Sequence, residues 1–152
     1  MSKLYVDADA CPVKEETLRV AERHKLPVLI VSNGGIRPNP HPLVQTVVVG
    51  HGADVADQWI ADRIGPGDIC VTGDIQLALR CIDAGADAIN HNGEVFTRAN
   101  IGNRMAMRDL MADIRAANPL GAGGSGKAFS KVDRSRFLNG LERLIQQAKR
   151  GG

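Results

Sequence analysis

Five aspartates have the residue type and the spacing needed for metal-assisted chemistry. Asp7 and Asp9 stand two residues apart, so both side chains leave one face of an extended segment. Asp54 and Asp57 stand three residues apart and share one face of a helix. Asp74 follows a short apolar run, at the start of another predicted helix. Carboxylate oxygens are the ligands that Mg²⁺ and Mn²⁺ prefer, so a site for one of these cations is the first hypothesis.

The elements that would position these aspartates alternate between strand and helix patterns. Apolar or β-branched runs predict strands over Lys3–Ala8, Pro27–Asn33, Val44–Gly50, Asp68–Gly73 and Asp87–Asn90. Helical periodicity predicts helices over Pro12–His24, Ala53–Ile64, Asp74–Ala84, Asn100–Ala117 and Arg134–Arg150. This alternation predicts an α/β fold: a single three-layer domain with a mostly parallel central sheet and helices on both faces.

The predicted topology brings the aspartates to the edge where parallel sheets bind ligands, beyond the carboxyl ends of the strands. Asp57 also continues an apolar helix stripe, which points it toward the sheet. Carboxylates gathered in one crevice repel each other at neutral pH, and a divalent cation removes that repulsion. We therefore predict catalytic roles for Asp7, Asp54, Asp57 and Asp74, and metal ligation by Asp7, Asp9, Asp57 and Asp74. Helix capping by Asp74 and a helix-dipole role for Asp54 are the purely structural alternatives.

Composition excludes several other classes of protein. The chain of 152 residues is 43% hydrophobic but only 3% aromatic, so its core must consist mainly of aliphatic side chains. No apolar run is long enough to cross a membrane and no secretory signal opens the sequence, so we expect a cytoplasmic protein. Three cysteines without a CxxC pair predict neither a disulfide framework nor a structural zinc site.

Charge is distributed unevenly along the chain. Residues 1–97 carry 8 basic and 13 acidic side chains, whereas residues 98–152 carry 11 basic and 4 acidic ones. Arg104 and Arg108 stand four residues apart on one face of a predicted helix, which makes them candidate phosphate contacts. An acidic N-terminal region and a basic C-terminal region suit an enzyme that uses a cation to act on a polyanion. RNA or another phosphodiester is therefore the expected partner.

The chain divides into a main α/β segment, residues 1–117, and a C-terminal segment, residues 118–152. The second segment starts with a Gly-rich connection that includes residues 121–126 and is expected to be flexible. It ends in a basic helix whose apolar positions predict packing on the same domain. The run from Gly121 to Ala128 nearly spells a P-loop, but Ala128 replaces the metal-binding hydroxyl and no strand precedes it, so a hinge is the better interpretation.

Five stretches of the sequence resemble the YaiI/YqxD family, a family of bacterial proteins without an established function. They are DADACPVKEE (7–16), VVVGHGADVADQWI (47–60), GDICVTGDIQLA (67–78), NIGNRMAMRDLM (100–111) and VDRSRFLNGLERL (132–144). The resemblance covers nearly the whole chain, and it identifies the protein as a member of that family.

At a greater distance, this family is similar to PIN-like and NYN-type metal-dependent ribonucleases. The resemblance implies a PIN-like fold, with Asp7, either Asp54 or Asp57, and Thr72-Gly73-Asp74 at the acidic site. It implies a ribonuclease or related phosphodiesterase that uses Mg²⁺ or Mn²⁺. Further candidate substrate contacts are Ser32, Asn33 and Thr72, which stand at predicted strand ends.

Two other interpretations stay open. A haloacid-dehalogenase-like phosphatase would use Asp7-Ala8-Asp9, Ser32 and Gly73-Asp74, but no lysine occurs between Lys25 and Lys127 to hold the phosphoryl group. The other interpretation is a non-catalytic RNA-binding or adaptor protein that retains the fold. Metal dependence separates this last possibility from the two enzymes, and the choice of phosphomonoester or oligonucleotide substrate separates the enzymes from each other.

Overall fold

The computed structural model describes residues 2–8, 11–34, 39–50, 52, 54–102 and 130–151. Its strands are β1 (Leu4–Asp7), β2 (Val28–Ser32), β3 (Val44–Val48), β4 (Ile69–Val71) and β5 (Asp87–Ile89). Its helices are α1 (Lys14–His24), α2 (Val55–Arg63), α3 (Ile75–Asp83) and α4 (Lys131–Gly151). Residues 98–102, at the end of a described range, are also helical.

The five strands form one sheet in the order β3-β2-β1-β4-β5, and every neighbouring pair is parallel. The chain moves outward from β1 to β3 and then crosses back to place β4 on the other side of β1. The strand order therefore reverses between β1 and β4. In doubly wound sheets, ligands bind in the crevice at this switch point, beyond the carboxyl ends of the strands.

Two layers of helices cover the two faces of the sheet. Successive side chains of β1 point to opposite faces: Leu4 and Val6 belong to one core, and Tyr5 belongs to the other. Helices α1 and α4 cover the first core, to which α4 contributes the fully buried Phe137. Helices α2 and α3 cover the second, to which α2 contributes Ile60. The predicted three-layer α/β fold is confirmed, and the described sheet is wholly parallel.

Helix α4 runs parallel to α1, because contacts between the two helices follow the same order along each. Arg134 Nη1 donates to Glu16 Oε1 at 2.7 Å near the two helix starts. Glu142 pairs with His24 at the end of α1. Since α1 leaves the carboxyl end of β1, the start of α4 lies at that same edge of the sheet. A basic helix therefore borders the edge where the predicted site residues lie.

All four labelled helices begin one to three residues from their predicted starts, and α1 and α4 show the local reasons. Helix α1 begins at Lys14, because Pro12 and its neighbour form a turn before it. Helix α4 begins at Lys131, three residues earlier than predicted. Here Ser130 Oγ accepts from the backbone N–H of Asp133, and Asp133 Oδ2 accepts from the backbone N–H of Ser130, both at 3.1 Å. This reciprocal capping box fixes the helix start at the edge of the sheet.

Several predicted features lie outside the described residues. They are Asp9, Arg104, Arg108, most of the predicted helix Asn100–Ala117 and the Gly-rich residues 121–126. The predicted boundary between residues 1–117 and 118–152 falls in the same stretch and stays a prediction. Within the described ranges, no helix combines the length and the apolar character needed to cross a bilayer.

Candidate functional site

One buried hydroxyl connects the ends of β1 and β4 at the switch point. Thr72 follows β4 directly and is fully buried. Its Oγ1 donates to Asp7 Oδ2 at 3.0 Å and accepts from the backbone N–H of Asp74, also at 3.0 Å. Because a hydroxyl has a single proton, Thr72 commits its donor to Asp7. Thr72 therefore positions the Asp7 carboxylate, and its role as a substrate contact stays a prediction.

Asp74 begins helix α3 as its N-cap. Its Oδ1 accepts from the backbone N–H of Gln76 at 2.8 Å and from that of Leu77 at 3.3 Å. The helix-capping role that the sequence analysis considered for Asp74 is therefore confirmed. Asp74 also forms a side-chain hydrogen bond with Asp57 of helix α2. One carboxylate thus caps a helix and contacts a second carboxyl group.

The surroundings of Asp57 disfavour the negatively charged form of its carboxyl group. It lies in the first turn of α2 and is only 8% exposed. Its pKa is raised to about 7, first by burial, then by the charges of Asp74 and Asp7, the hydrogen bond to Asp74 and the charge of Asp54. Near neutral pH, Asp57 therefore stays partly protonated.

We call Asp7, Asp57 and Asp74 the aspartate cluster. Asp54 lies at the N-cap position of α2, where its exposed side chain makes no capping hydrogen bond. Its charge nevertheless contributes to the raised pKa of Asp57. Asp9 lies outside the described residues. Within the described part of the chain, no group of three His, Cys, Asp or Glu side chains is arranged to hold a metal ion together.

The other predicted substrate contacts have varied surroundings. Ser32, at the end of β2, is fully buried, and its Oγ bonds to both the N–H and the C=O of Gly34 at 3.1 Å. This hydroxyl therefore shapes the loop that follows the strand. Asn33 is half-buried, and its Oδ1 is buried without a hydrogen-bond partner among the described residues.

His91 lies at the same edge, although the sequence analysis did not select it. It follows β5, and a Cβ added to Gly73 would lie 3.3 Å from His91 Cε1. Gly73 stands between Thr72 and Asp74, so the imidazole adjoins the aspartate cluster. Burial lowers the pKa of His91, which keeps the ring neutral near pH 7. Its position after the last strand is the only sequence signal that could have identified it.

Glu16 and Cys11 are two further buried groups near this edge. Glu16 is ion-paired with Arg134, and its second carboxylate oxygen is buried without a hydrogen-bond partner in the described ranges. The pKa of Cys11 is raised to about 11, mainly by burial. A thiol that resists ionisation is a poor nucleophile, so Cys11 has the character of a packing residue. All three cysteines of the chain are buried and free.

The fold and the site together define a doubly wound α/β protein with an aspartate cluster at its switch point. Residues 5–147 match the sequence profile described as "Uncharacterized BCR, YaiI/YqxD family". The chain belongs to the YaiI/YqxD family, as its five characteristic stretches predict.

Relatives of similar length are found in several bacteria. A UPF0178 protein of Ruegeria pomeroyi is 65% identical over 150 residues, which cover 99% of this chain and 97% of the relative. A UPF0178 protein of Roseobacter denitrificans is 64% identical over 148 residues, 97% of each chain. A UPF0178 protein of Parvibaculum lavamentivorans is 57% identical over 150 residues, 99% of this chain and 97% of the relative. No solved structure matches the chain, and the similarity to PIN-like nucleases stays a prediction.

Proposed function

We propose that the protein is a divalent-metal-dependent ribonuclease or related phosphodiesterase, and that its reaction takes place at the aspartate cluster. Asp57 is the observation that carries this proposal. Its carboxyl group is buried, has a pKa of about 7 and is bonded to a second carboxyl group, that of Asp74. This arrangement opposes ionisation in the metal-free protein. It becomes favourable when a cation replaces the proton of Asp57.

The donors in the cluster fit Mg²⁺ or Mn²⁺. All are carboxylate oxygens, and these cations take such ligands in preference to sulfur or imidazole. Mg²⁺ retains several waters and often takes only one or two carboxylates from a protein, so a direct group of three is unnecessary. Asp57 and Asp74 would hold the ion, with Asp7 beside them. When bound, the ion supplies Lewis-acid stabilisation of charge on a phosphodiester and activates water.

The residues around the cluster prepare it for this role. Thr72 holds the Asp7 carboxylate by donating to Oδ2, and the first amides of α3 hold Asp74 Oδ1. Two of the three carboxylates are therefore oriented before any ligand arrives. The proton that Asp57 carries near neutral pH must leave when a cation binds. We therefore expect cation binding to release protons and to strengthen as pH rises through about 7.

RNA is the substrate class that the charge distribution favours. Residues 98–152 carry 11 basic and 4 acidic side chains, and α4 starts at the edge of the sheet that holds the cluster. Basic side chains near a cation site attract a phosphodiester backbone without reading its sequence. The PIN-like resemblance supports the same substrate class.

The decisive test is cleavage of a labelled RNA oligonucleotide by metal-stripped protein to which Mg²⁺ or Mn²⁺ is returned. Asp57→Asn should abolish cleavage, because an amide cannot give up a proton to bind a cation. Asp62→Asn is the matched control: it lies on the same helix, is exposed, and bonds only to Gln58 among the described contacts. This control should retain activity at every metal concentration.

Other outcomes of the same assay support the alternative functions. Hydrolysis of p-nitrophenyl phosphate without RNA cleavage would support the phosphatase. RNA binding without cleavage in any divalent cation would support a non-catalytic RNA-binding or adaptor protein. Equal loss of cleavage in Asp57→Asn and Asp62→Asn would mean that the aspartate cluster has no special part in the reaction.

A further inference from the structure

We propose that a groove between α4 and the loop after β5 binds the phosphodiester backbone of single-stranded nucleic acid, away from the bond that is cut. This inference rests on the proposed function and extends it, because it assigns a separate binding surface. The groove has a volume of about 420 Å³ and is lined by residues 92–94 of the loop and by Arg136, Asn139, Gly140 and Arg143 of α4.

Two glycines bring the loop and the helix into backbone contact and so form this groove. Gly93 has a φ of +90°, and a Cβ added there would lie 2.2 Å from the carbonyl oxygen of Arg136. A Cβ added to Gly140 would lie 2.7 Å from the carbonyl oxygen of Gly93. No side chain fits at either position, so the loop and the helix meet through their backbones.

The lining presents mainly hydrogen-bond donors and positive charge. Arg136 and Arg143 stand seven residues apart, so they share one face of α4 about 10 Å apart along its axis. Asn92 Oδ1 accepts from the backbone N–H of Glu94 at 3.0 Å, which leaves the donors of the Asn92 amide group for a ligand. Glu94 is the one acidic residue in the lining, so the two arginines give the groove a net positive charge.

The position of the groove favours a nucleic-acid strand over other polyanions. Asn92 directly follows His91, whose ring adjoins Gly73 between two residues of the site, Thr72 and Asp74. The loop side of the groove therefore starts at the carboxyl edge beside the aspartate cluster, and the groove extends from there along α4. A strand seated on the arginines can place a neighbouring phosphodiester at the cluster. Its contacts would be to phosphates, so it would bind without base preference.

The test is fluorescence anisotropy with a short fluorescein-labelled oligouridine in EDTA, so that binding is measured without cleavage. We expect Arg136→Ala with Arg143→Ala to weaken binding about tenfold at moderate salt. Each phosphate contact contributes about −0.7 to the log–log salt dependence for single strands, so the slope should flatten by about 1.4. Lys149→Ala with Arg150→Ala is the matched control, because it removes two exposed charges from the far end of the same helix, outside the groove.

The control variant distinguishes binding in the groove from binding that depends only on the net charge of the protein. If both double variants lose affinity equally, binding depends on overall charge and the groove proposal is overturned. Labelled oligothymidine should bind as oligouridine does, since both present the same phosphates. If a labelled polyglutamate binds as tightly and with the same dependence on the two arginines, the groove is a general acidic-polymer site and the nucleic-acid assignment fails.

The outcomes distinguish a failure of the groove proposal from a failure of the nuclease proposal. A wild-type protein that does not bind either oligonucleotide in EDTA refutes the groove, whether or not it cleaves RNA at higher concentration. Binding that depends on Arg136 and Arg143, without cleavage in any cation, supports the groove and refutes the nuclease. Circular dichroism of both double variants checks that they fold, and all four side chains are exposed.

Discussion

Asp68 and Asp57 are carboxylates near opposite ends of β4, and the protein surrounds them with opposite kinds of neighbour. Asp68 precedes the strand, where its two oxygens accept from the backbone N–H groups of Lys3 and Gly65, each at 3.1 Å. Asp57 lies beyond the other end of the strand, where its neighbours are Asp74, Asp7 and Asp54. The first arrangement completes the hydrogen bonding of the fold. The second opposes the ionisation of Asp57.

The comparison separates a carboxylate whose neighbours are hydrogen-bond donors from one whose neighbours are other carboxylates. Asp68 is half-buried, and its two oxygens satisfy two backbone donors of the fold. A buried acid that faces other acids destabilises the folded state as it ionises. This difference in surroundings, rather than residue type, is the physical reason to place chemistry at the carboxyl edge of the sheet and not at the amino edge.

The largest expected effect is on activity, in Asp7→Asn compared with Asp68→Asn. The Asp7 variant retains an oxygen that can accept from Thr72, so it should fold, but it should lose metal-dependent cleavage by at least about a hundredfold. The Asp68 variant should retain cleavage and lose about 1–3 kcal/mol of stability, because a charge-assisted acceptor is weakened. Initial rates in Mn²⁺ and urea unfolding measure the two effects. Equal activity losses would erase the distinction between the two edges.

The second prediction concerns the pH dependence of stability in metal-free protein. Asp57 titrates near 4 when unfolded and at about 7 when folded, so the folded state binds its proton more tightly. The stability that this proton contributes is complete below about pH 4 and is lost as pH rises through about 7. The loss is on the order of 3–4 kcal/mol at most.

Asp57→Asn tests this directly, because its amide can still donate to Asp74 but does not titrate. The variant should be more stable than the wild type at pH 8, and its stability should vary less between pH 4 and pH 8. Urea unfolding across that range in EDTA is the measurement. A wild type whose stability is flat over this interval would show that Asp57 ionises normally.

The third prediction concerns the hydroxyl that connects β1 and β4. Thr72→Val keeps the shape of the side chain but leaves the amide of Asp74 and the Asp7 carboxylate without their shared partner. We expect a loss of about 1–3 kcal/mol, the usual result of leaving a buried polar group unsatisfied. Thr72→Ser restores the hydroxyl and should recover most of that stability. If the serine variant is as unstable as the valine variant, packing of the methyl group accounts for the loss.

Local sequence patterns were sufficient to predict the fold, but they predicted much less of the site. Aliphatic strand runs and helix periodicity predicted the three layers, because those signals lie within each element. Strand ends likewise placed Asp7 and Asp74 at one edge. The bond from Thr72 to Asp7 joins residues 65 positions apart, so no local spacing reveals it. The contact of His91 with Gly73 likewise depends on β5 lying beside β4.

The same limit explains why the hydrogen-bond partners of some candidate residues could not be predicted. Ser32 ends a strand, as a substrate-binding serine would, but its hydroxyl turns inward to the backbone of Gly34. The pairing of Glu16 with Arg134 depends on α4 lying beside α1, across 118 residues of sequence. A strand end predicts which residues reach the edge of a sheet. Which of those side chains face outward depends on the neighbours that the folded structure places around them.

The smallest expected effect on stability, in Asp74→Asn, is also the one that separates the two roles of that residue. Asparagine is as good an N-cap as aspartate, so it retains the bonds to the amides of Gln76 and Leu77. It also removes a charge that raises the pKa of Asp57, so metal-free stability should stay the same or increase slightly. Asp74→Ala loses the cap as well and should cost about 0.5–2 kcal/mol.

Mn²⁺ binding, followed by calorimetry, should be lost in both variants of Asp74. Thermal unfolding in EDTA should separate the two variants. The unfolding midpoint of Asp74→Asn should lie near that of the wild type, and the midpoint of Asp74→Ala should be clearly lower. If the Asp74→Asn variant binds Mn²⁺ normally while the Asp74→Ala variant is destabilised, then Asp74 acts only as a helix cap. In that case the carboxyl edge resembles the amino edge, where Asp68 serves only the fold, and the contrast between the two ends of β4 rests on Asp57 and Asp7.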